Sequence, residues 1–321
     1  MKSHILRSAL VLLVIFISLS VLVFSQEKNS GKTIDDSRLV RINLLIADEK
    51  GLYINDVNLD KIKLYEDGVE QKILTVEKKT PLSLGIIMDN SGSVRKRLGE
   101  LTFAGKILTT NLLDGDEAFV IRFVGRETIE IVQDWTSKKK DLSDAIDLMY
   151  VEGGQSAVID ALYLSAEKMI GRAKTGTTKR YALVLITDGD ERDSYYTLKD
   201  FSKLIAGNEM QVFVLAFPNP EFSYDSQEVA ERLVRKIVKK TGGTYYTIRK
   251  TKKNDLDKEE LVKALKATVF ELRSQFVLTY APTNKDTDRL KRKLRVEVGP
   301  GPDGEKRTVT LRESFTVPVD K

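Results

Sequence analysis

The sequence predicts an α/β domain, built on a mostly parallel six-stranded sheet and inserted into a β-sandwich formed by the N- and C-terminal strand segments. Three observations predict it. "LSLGIIMD" (82–89) and "RYALVLITD" (180–188) are continuous apolar runs, the pattern of strands buried on both faces of a parallel sheet. Between residues 81 and 273 strand-like and helix-like patterns alternate, which is the grammar of α/β folds. Residues 38–80 and 274–321 read as strands only, and neither flank is long enough to make a good sandwich alone. The two flanks are therefore expected to pair, and 321 residues suit two domains.

The elements follow in order. Lys2 and Arg7 precede an uncharged stretch from Ser8 to Phe24, a basic n-region before an apolar h-region. Val23 and Ser25 are small residues ahead of a cut, so a signal peptide over 1–25 is expected. The stretch is slightly short for a span of about 20 residues, and it meets a membrane only if residues 8–24 stay uncleaved as an anchor. No cysteine follows, which excludes a lipoprotein anchor. The remainder is expected to be exported, periplasmic or secreted; an exported chain without disulfides fits a bacterial envelope. Residues 26–37 are polar and read as a linker. In 38–80, "LVRINLLIAD" is a strand and "IKLYEDGVEQKILTVEKK" a hairpin around Asp67-Gly68, with no convincing helix.

The α/β domain is expected over 81–273. After the strand 82–89, residues 94–113 carry Leu98, Leu101, Ala104 and Leu108 at helical spacing. Strands 116–124 and 127–133 are joined by a tight glycine-containing turn and should be antiparallel neighbours. Helices are expected over 138–149, 156–170 and 197–206, and a strand over 210–217. The helix 228–240 is closed by Thr241-Gly242-Gly243, a good C-cap. A short strand (244–248) and a last helix (257–273) complete the domain. Residues 274–321 add "QFVLTYAP", "RKLRVEVG" and "KRTVTLRESFTV" as strands.

Composition removes several function classes. There is no cysteine, so thiol nucleophiles, thiolate zinc sites and disulfides are excluded. The single histidine is His4, inside the expected signal, so the exported protein has no Ser-His-Asp triad and no histidine-ligated zinc. Any metal must be held by oxygen. The net charge of +5 comes with scattered basic residues. Counterion release needs a clustered basic face, so no nucleic-acid partner is expected.

Ligands of open α/β sheets sit beyond the carboxyl ends of the strands, where strand order reverses. Asp89 ends one buried strand and Asp188 another; if these strands are central neighbours, "DNSGS" and "TDGD" share one crevice. Asp89, Ser91 and Ser93 supply a carboxylate and two hydroxyls at alternate positions. Hard cations accept such ligands, Mg²⁺ taking six oxygens at about 2.0–2.1 Å. Neutral hydroxyls leave the ion less neutralised than carboxylates would, so it still attracts an acidic group from outside.

This constellation resembles the metal-ion-dependent adhesion site, or MIDAS, of von Willebrand factor type A domains. The family pattern of Asp-x-Ser-x-Ser, a threonine and a later aspartate stands here as Asp89, Ser91 and Ser93, then Ser156 in "GGQSAVIDAL", then Asp188 in "LITDGD". Ser156 departs from the family threonine: it keeps the hydroxyl and loses the methyl. "YEDGVEQKI" and "ELRSQFVLTYAPTN" extend the resemblance to a bacterial group of exported relatives. The resemblance implies strand order 3-2-1-4-5-6 with helices on both faces. It implies Mg²⁺ (or Mn²⁺ or Ca²⁺) bound directly by the hydroxyls and through water by Asp89 and Asp188. It implies a protein partner whose Glu or Asp carboxylate completes the site.

Blander readings stand beside this one. Ser93 could cap a helix. Asp190, Glu191 and Asp193 read as solvated, Asp160 as a helix residue with a local hydrogen bond, and Tyr245 and Tyr246 as strand packing. Two other functions compete with a non-enzymatic adhesion or scaffold module. One is a structural envelope protein with a vestigial or stabilising metal site. The other is a Mg²⁺-dependent hydrolase, against which stand the missing second carboxylate beside Asp89, the missing phosphate loop and the missing histidine base.

Overall fold

The computed structural model describes residues 39–54, 57–174, 179–217, 219, 223–248, 258–286, 291–301, 303–312 and 314–316. The expected signal peptide and linker lie outside the described residues. Among the described residues no helix is long and apolar enough to cross a membrane.

Four strands come first: β1 (Val40–Ala47), β2 (Ile62–Glu66), β3 (Val69–Gln71) and β4 (Ile73–Lys78). The α/β segment runs β5 (Leu82–Asp89), α1 (Leu98–Thr110), β6 (Glu117–Phe123), β7 (Ile129–Thr136), α2 (Lys139–Asp147), α3 (Val158–Ala173) and β8 (Arg180–Thr187). It continues with α4 (Leu198–Leu204), β9 (Met210–Ala216), α5 (Tyr224–Thr241), β10 (Tyr245–Thr247) and α6 (Lys258–Arg273). Then follow β11 (Phe276–Tyr280), β12 (Lys291–Val298), β13 (Thr308–Leu311) and β14 (Ser314–Thr316).

The flanking strands form two four-stranded antiparallel sheets, ordered β13-β1-β11-β4 and β14-β12-β2-β3. Each sheet mixes N- and C-terminal strands, so neither flank completes one alone. Ile42, Leu44 and Ile46 of β1 and Phe276 and Leu278 of β11 pack with Leu64, Leu294 and Val296 of the second sheet in one buried core. Inside it Arg292 pairs with Glu66 at 2.7 Å, and Tyr280 Oη donates to the other Glu66 oxygen at 2.6 Å.

The hairpin turn at Asp67 (φ 48°) and Gly68 (φ 88°) has two left-handed residues, as a two-residue turn between twisted strands requires. Two expectations about these flanks need correction. The hairpin stops at Gln71, because the chain crosses at Lys72 to the other sheet, where β4 pairs with β11. The last segment is two strands rather than one: β13 pairs with β1, whereas β14 pairs with β12 in the other sheet. Arg312 marks that crossing. Its guanidinium donates to the Ser314 and Asn208 carbonyls and pairs with Glu209 at 3.0 Å.

The central sheet is ordered β10-β9-β8-β5-β6-β7 and is parallel except for β7. Counted within the α/β segment this is 3-2-1-4-5-6, with the reversal between β5 and β8. Leu84, Ile86 and Met88 face α1, α2 and α6, and Ile87 faces α3, α4 and α5. Gly85 is required in the middle of β5: a Cβ there would lie 2.5 Å from both Leu183 and Phe119. Gly242 closes α5 at φ 72°, the left-handed C-cap position.

Helix α1 begins at Leu98, later than its apolar period predicts, because Gly92–Arg97 is a 3₁₀ helix. Arg95, Lys96 and Arg97 crowd this entry, and cations oppose the positive end of a helix dipole.

The chain enters the α/β segment at Thr80 and leaves it after Leu272, and Arg180 donates to both carbonyls, at 3.3 and 2.6 Å. Asp116 accepts the Leu82 N–H at 2.7 Å and pairs with Arg273 at 2.7 Å. These contacts fix the start of β5, and thereby the position at which it ends.

Glu117 gives a pH prediction. It accepts from Ser83 and Arg172 and pairs with Lys179. Burial opposes its charge, yet Arg172, Ser83 and Lys179 win and lower its pKa to about 2. A carboxylate lowered in the fold stabilises above its unfolded pKa and loses that contribution as pH falls. Between about pH 5 and 2, on the order of 2 kcal/mol is expected to disappear. Urea midpoints measured across that range should show this slope in the wild type and a shallower one in Glu117→Gln.

Candidate functional site

Strand β5 pairs β8 in register up to Met88 opposite Ile186. That register carries Asp89 and the Thr187-Asp188 pair to the same sheet end, where strand order reverses. Asp89, Asn90, Ser91, Ser156, Thr187 and Asp188 are all buried, and Ser93 is half-buried. The structure therefore brings all five residues singled out by sequence into one crevice.

The side-chain hydrogen bonds among the site residues run between oxygens, and backbone N–H groups supply the rest. Asp89 Oδ2 accepts from Thr187 Oγ1 at 2.6 Å and from Ser156 Oγ at 3.2 Å, while Asp89 Oδ1 accepts the Ser91 N–H at 2.9 Å. Ser91 Oγ lies 2.9 Å from Ser93 Oγ. Asp188 Oδ1 accepts the Asp190 N–H at 3.2 Å, but Asp188 Oδ2 is buried with no partner. The helix-cap reading of Ser93 is not met, since the N-cap position falls on Ser91 and makes no side-chain cap bond.

Two carboxylates buried together resist ionisation. Burial raises the Asp89 carboxyl above the ordinary range, against the bonds from Ser91, Thr187 and Ser156. Burial first, and the Asp89 charge second, push Asp188 up to about 7. Such a pair wants a cation. Ser156 spends its hydrogen on Asp89, and Ser91 and Ser93 share one between them, which leaves oxygen lone pairs free. The unpartnered Asp188 oxygen adds another acceptor. This donor set fits a hard divalent ion. Among the described residues no group of three or more His, Cys, Asp or Glu side chains competes for one.

Three supporting residues were not foreseen. Thr187 bonds Asp89 and accepts the Gly189 N–H at 3.0 Å, fixing both aspartates at once. Asn90 donates its backbone N–H to the Phe123 carbonyl and accepts the Glu152 N–H through its own carbonyl; its side-chain amide donates to the Tyr150 carbonyl. Asn219 donates to the Ser93 carbonyl at 3.3 Å. Thr187 had one available signal, its place beside Asp188 at a strand end. The partners of Asn90 and Asn219 had none.

The loop after Asp188 is held more firmly than a solvated acidic run. Asp160 is buried and accepts the Tyr195 and Tyr196 N–H groups at 2.8 and 2.7 Å, partners 35 and 36 residues away rather than local ones. Glu191 accepts the Ile159 N–H at 2.8 Å and the Ser194 hydroxyl at 2.8 Å. Asp190 pairs with Arg192, and Asp193 with Arg126. These bonds tie the Asp188 loop to the start of α3, two residues beyond Ser156. Gly154 (φ 146°) supplies the backbone freedom for that approach. Tyr246 does more than pack: its hydroxyl donates to the buried Glu271 at 2.6 Å.

A family model described as von Willebrand factor type A domain matches residues 84–264. No curated protein matches the chain. Among solved structures, a conserved hypothetical protein BatB from Bacteroides thetaiotaomicron is similar at 20% identity, covering 60% of this chain and 97% of that one, with a TM-score of 0.46. An aerotolerance-related membrane protein from Bacteroides fragilis NCTC 9343, with multiple mutations to serines, is similar at 19% identity, covering 59% and 99%, with a TM-score of 0.45. A von Willebrand factor type A structure from Catenulispora acidiphila is similar at 14% identity, covering 88% and 74%, with a TM-score of 0.47.

Proposed function

The chain belongs to the von Willebrand factor type A domain family, and from that premise we propose that it is an exported, metal-dependent protein-binding module and not an enzyme. Domains of this family generally mediate protein–protein interactions. In this reading Asp89, Ser91, Ser93, Ser156 and Asp188 hold one Mg²⁺, or Mn²⁺ or Ca²⁺, and a partner protein supplies a Glu or Asp carboxylate. The bound ion contributes one thing, a positive centre that attracts and orients that carboxylate.

The chain's own residues do the rest. Thr187 and the Ser91 N–H hold the Asp89 carboxylate in place. Asn90 ties the Asp89–Ser93 loop to the end of β6 and to Glu152. Burial keeps competing water away from the charged groups, which strengthens electrostatic attraction. The proposed binding domain is 81–273, with 38–80 and 274–321 as the base that carries it and residues 1–25 as the export signal. The observation that supports the metal reading most is the buried, unpartnered Asp188 oxygen beside the hydroxyls and carboxylate of the crevice.

The test is capture of envelope proteins on the immobilised chain in Mg²⁺, in parallel with Ser91→Ala. The expected result is a bound protein that chelator releases and the variant fails to hold. Capture that survives both chelator and the substitution would sink the reading.

A further inference from the structure

Four arginines are buried among the described residues: Arg97, Arg180, Arg292 and Arg312. Three have evident partners. Arg180 donates to two carbonyls, Arg292 pairs with Glu66, and Arg312 pairs with Glu209. Arg97 is different. It is 7% exposed, yet its guanidinium has no hydrogen bond or ion pair among the described residues. Its nitrogens are not among the sealed, unpartnered atoms, so its donors stay open to solvent.

Its place in the fold makes this notable. Arg97 ends the 3₁₀ helix that carries Ser93; burial works against its charge, and the fields of Glu100 and, more weakly, Asp188 favour it. Glu100, three residues on and half-buried, makes no ion pair with it. A cation held in this way is costly unless something anionic arrives. The charge of the crevice says what that is. Asp89 and Asp188 together balance a divalent cation and Asp190 is paired with Arg192, while Glu100 approaches Arg97 without an ion pair and leaves its donors to a further anion.

We propose that Arg97 is the anion-selecting residue of the crevice: it adds a buried positive charge beside the metal-loaded site, so the site favours a carboxylate over neutral side chains. The proposal rests on the metal-binding reading above. It also fixes two effects of opposite sign. Arg97 repels the metal and attracts the carboxylate, so removing its charge should improve one affinity and weaken the other. A merely structural arginine would weaken both.

The experiment uses the full chain, Arg97→Gln and Arg97→Lys. Mg²⁺ is titrated calorimetrically into stripped protein, and acetate is then titrated into the Mg²⁺-loaded protein by NMR, with acetamide as the neutral control. Arg97→Gln is expected to bind Mg²⁺ more tightly and acetate more weakly, each by roughly fivefold, the scale of one partly screened charge. Arg97→Lys should return both toward wild type, which also shows that the Gln effects are not misfolding. Acetamide should bind none of the three. Unchanged affinities in Arg97→Gln, or a loss of both together, overturn the role of Arg97 while leaving the metal site standing. A wild type that binds no Mg²⁺ overturns the underlying reading and this proposal with it.

Discussion

Asp188→Asn is expected to raise the thermal midpoint of the metal-stripped protein and to shrink the further rise that Mg²⁺ produces in the wild type. The stripped protein buries two carboxylates together, and one oxygen of Asp188 has no partner. Asparagine removes the charge while keeping the shape. Relief of an uncompensated buried group is worth about 1–3 kcal/mol, or roughly 2–4 °C per kcal/mol at this size. The pH profile gives the sign independently. An acid whose pKa is raised in the fold, here to about 7, stabilises most below its unfolded pKa and loses that contribution as pH rises. The stripped wild type should therefore lose stability between about pH 4 and pH 7, and the variant should show less of that loss. Metal affinity moves the other way. It should fall by about 10–100-fold, the scale of groups that act on a metal through the ligands it holds. At a hundred times its dissociation constant, Mg²⁺ should add about 2.7 kcal/mol to the wild type and much less to the variant. A variant both less stable and shifted equally by Mg²⁺ would contradict the account.

The largest loss of stability is expected from Arg292→Met. Arg292 and Glu66 are 2% and 1% exposed in their side chains and lie in the sandwich core. Removing the guanidinium strands a buried carboxylate whose remaining side-chain donor is the Tyr280 hydroxyl. Such a break costs about 3–5 kcal/mol, whereas replacing both members by groups of similar volume is often neutral. Urea unfolding followed by circular dichroism should show the single variant strongly destabilised and Arg292→Met with Glu66→Leu much closer to wild type. If the double variant is as weak as the single one, the cost lies in packing rather than in the stranded charge. The sandwich is assembled from both chain ends, so this loss should weaken the base that carries the α/β segment.

Several features were legible because their signals are local. The run from Leu82 to Met88 is apolar but for Ser83, so a doubly buried strand could be placed to the residue. Asp89 and Asp188 each follow such a run, which put both at the same end of a parallel sheet. Asp67-Gly68 announced its turn through residues that tolerate a left-handed backbone. Other features depend on partners far away in sequence. Thr187 looks like the last residue of a strand until the β5–β8 register sets it against Asp89. Asp160 carries no mark of the two amides it holds 35 residues later. The split at Arg312 was hidden because both halves of "TVTLRESFT" keep strand composition, while their partners, β1 and β12, lie at opposite ends of the chain. The late start of α1 was hidden because an apolar period of 3.6 says nothing about whether the entry turn is 3₁₀. Arg97 was masked by its basic neighbours, Arg95 and Lys96, which are exposed while it is buried.

The central claim is that β5 ends in a carboxylate and two hydroxyls in order to hold an ion. Calorimetric titration of Mg²⁺, Mn²⁺ and Ca²⁺ into chelator-stripped protein, with Asp89→Ala alongside, tests it most directly. The account predicts saturable binding at one site in the wild type and none in the variant. No binding by the wild type at millimolar metal, or equal binding by both proteins, would contradict it.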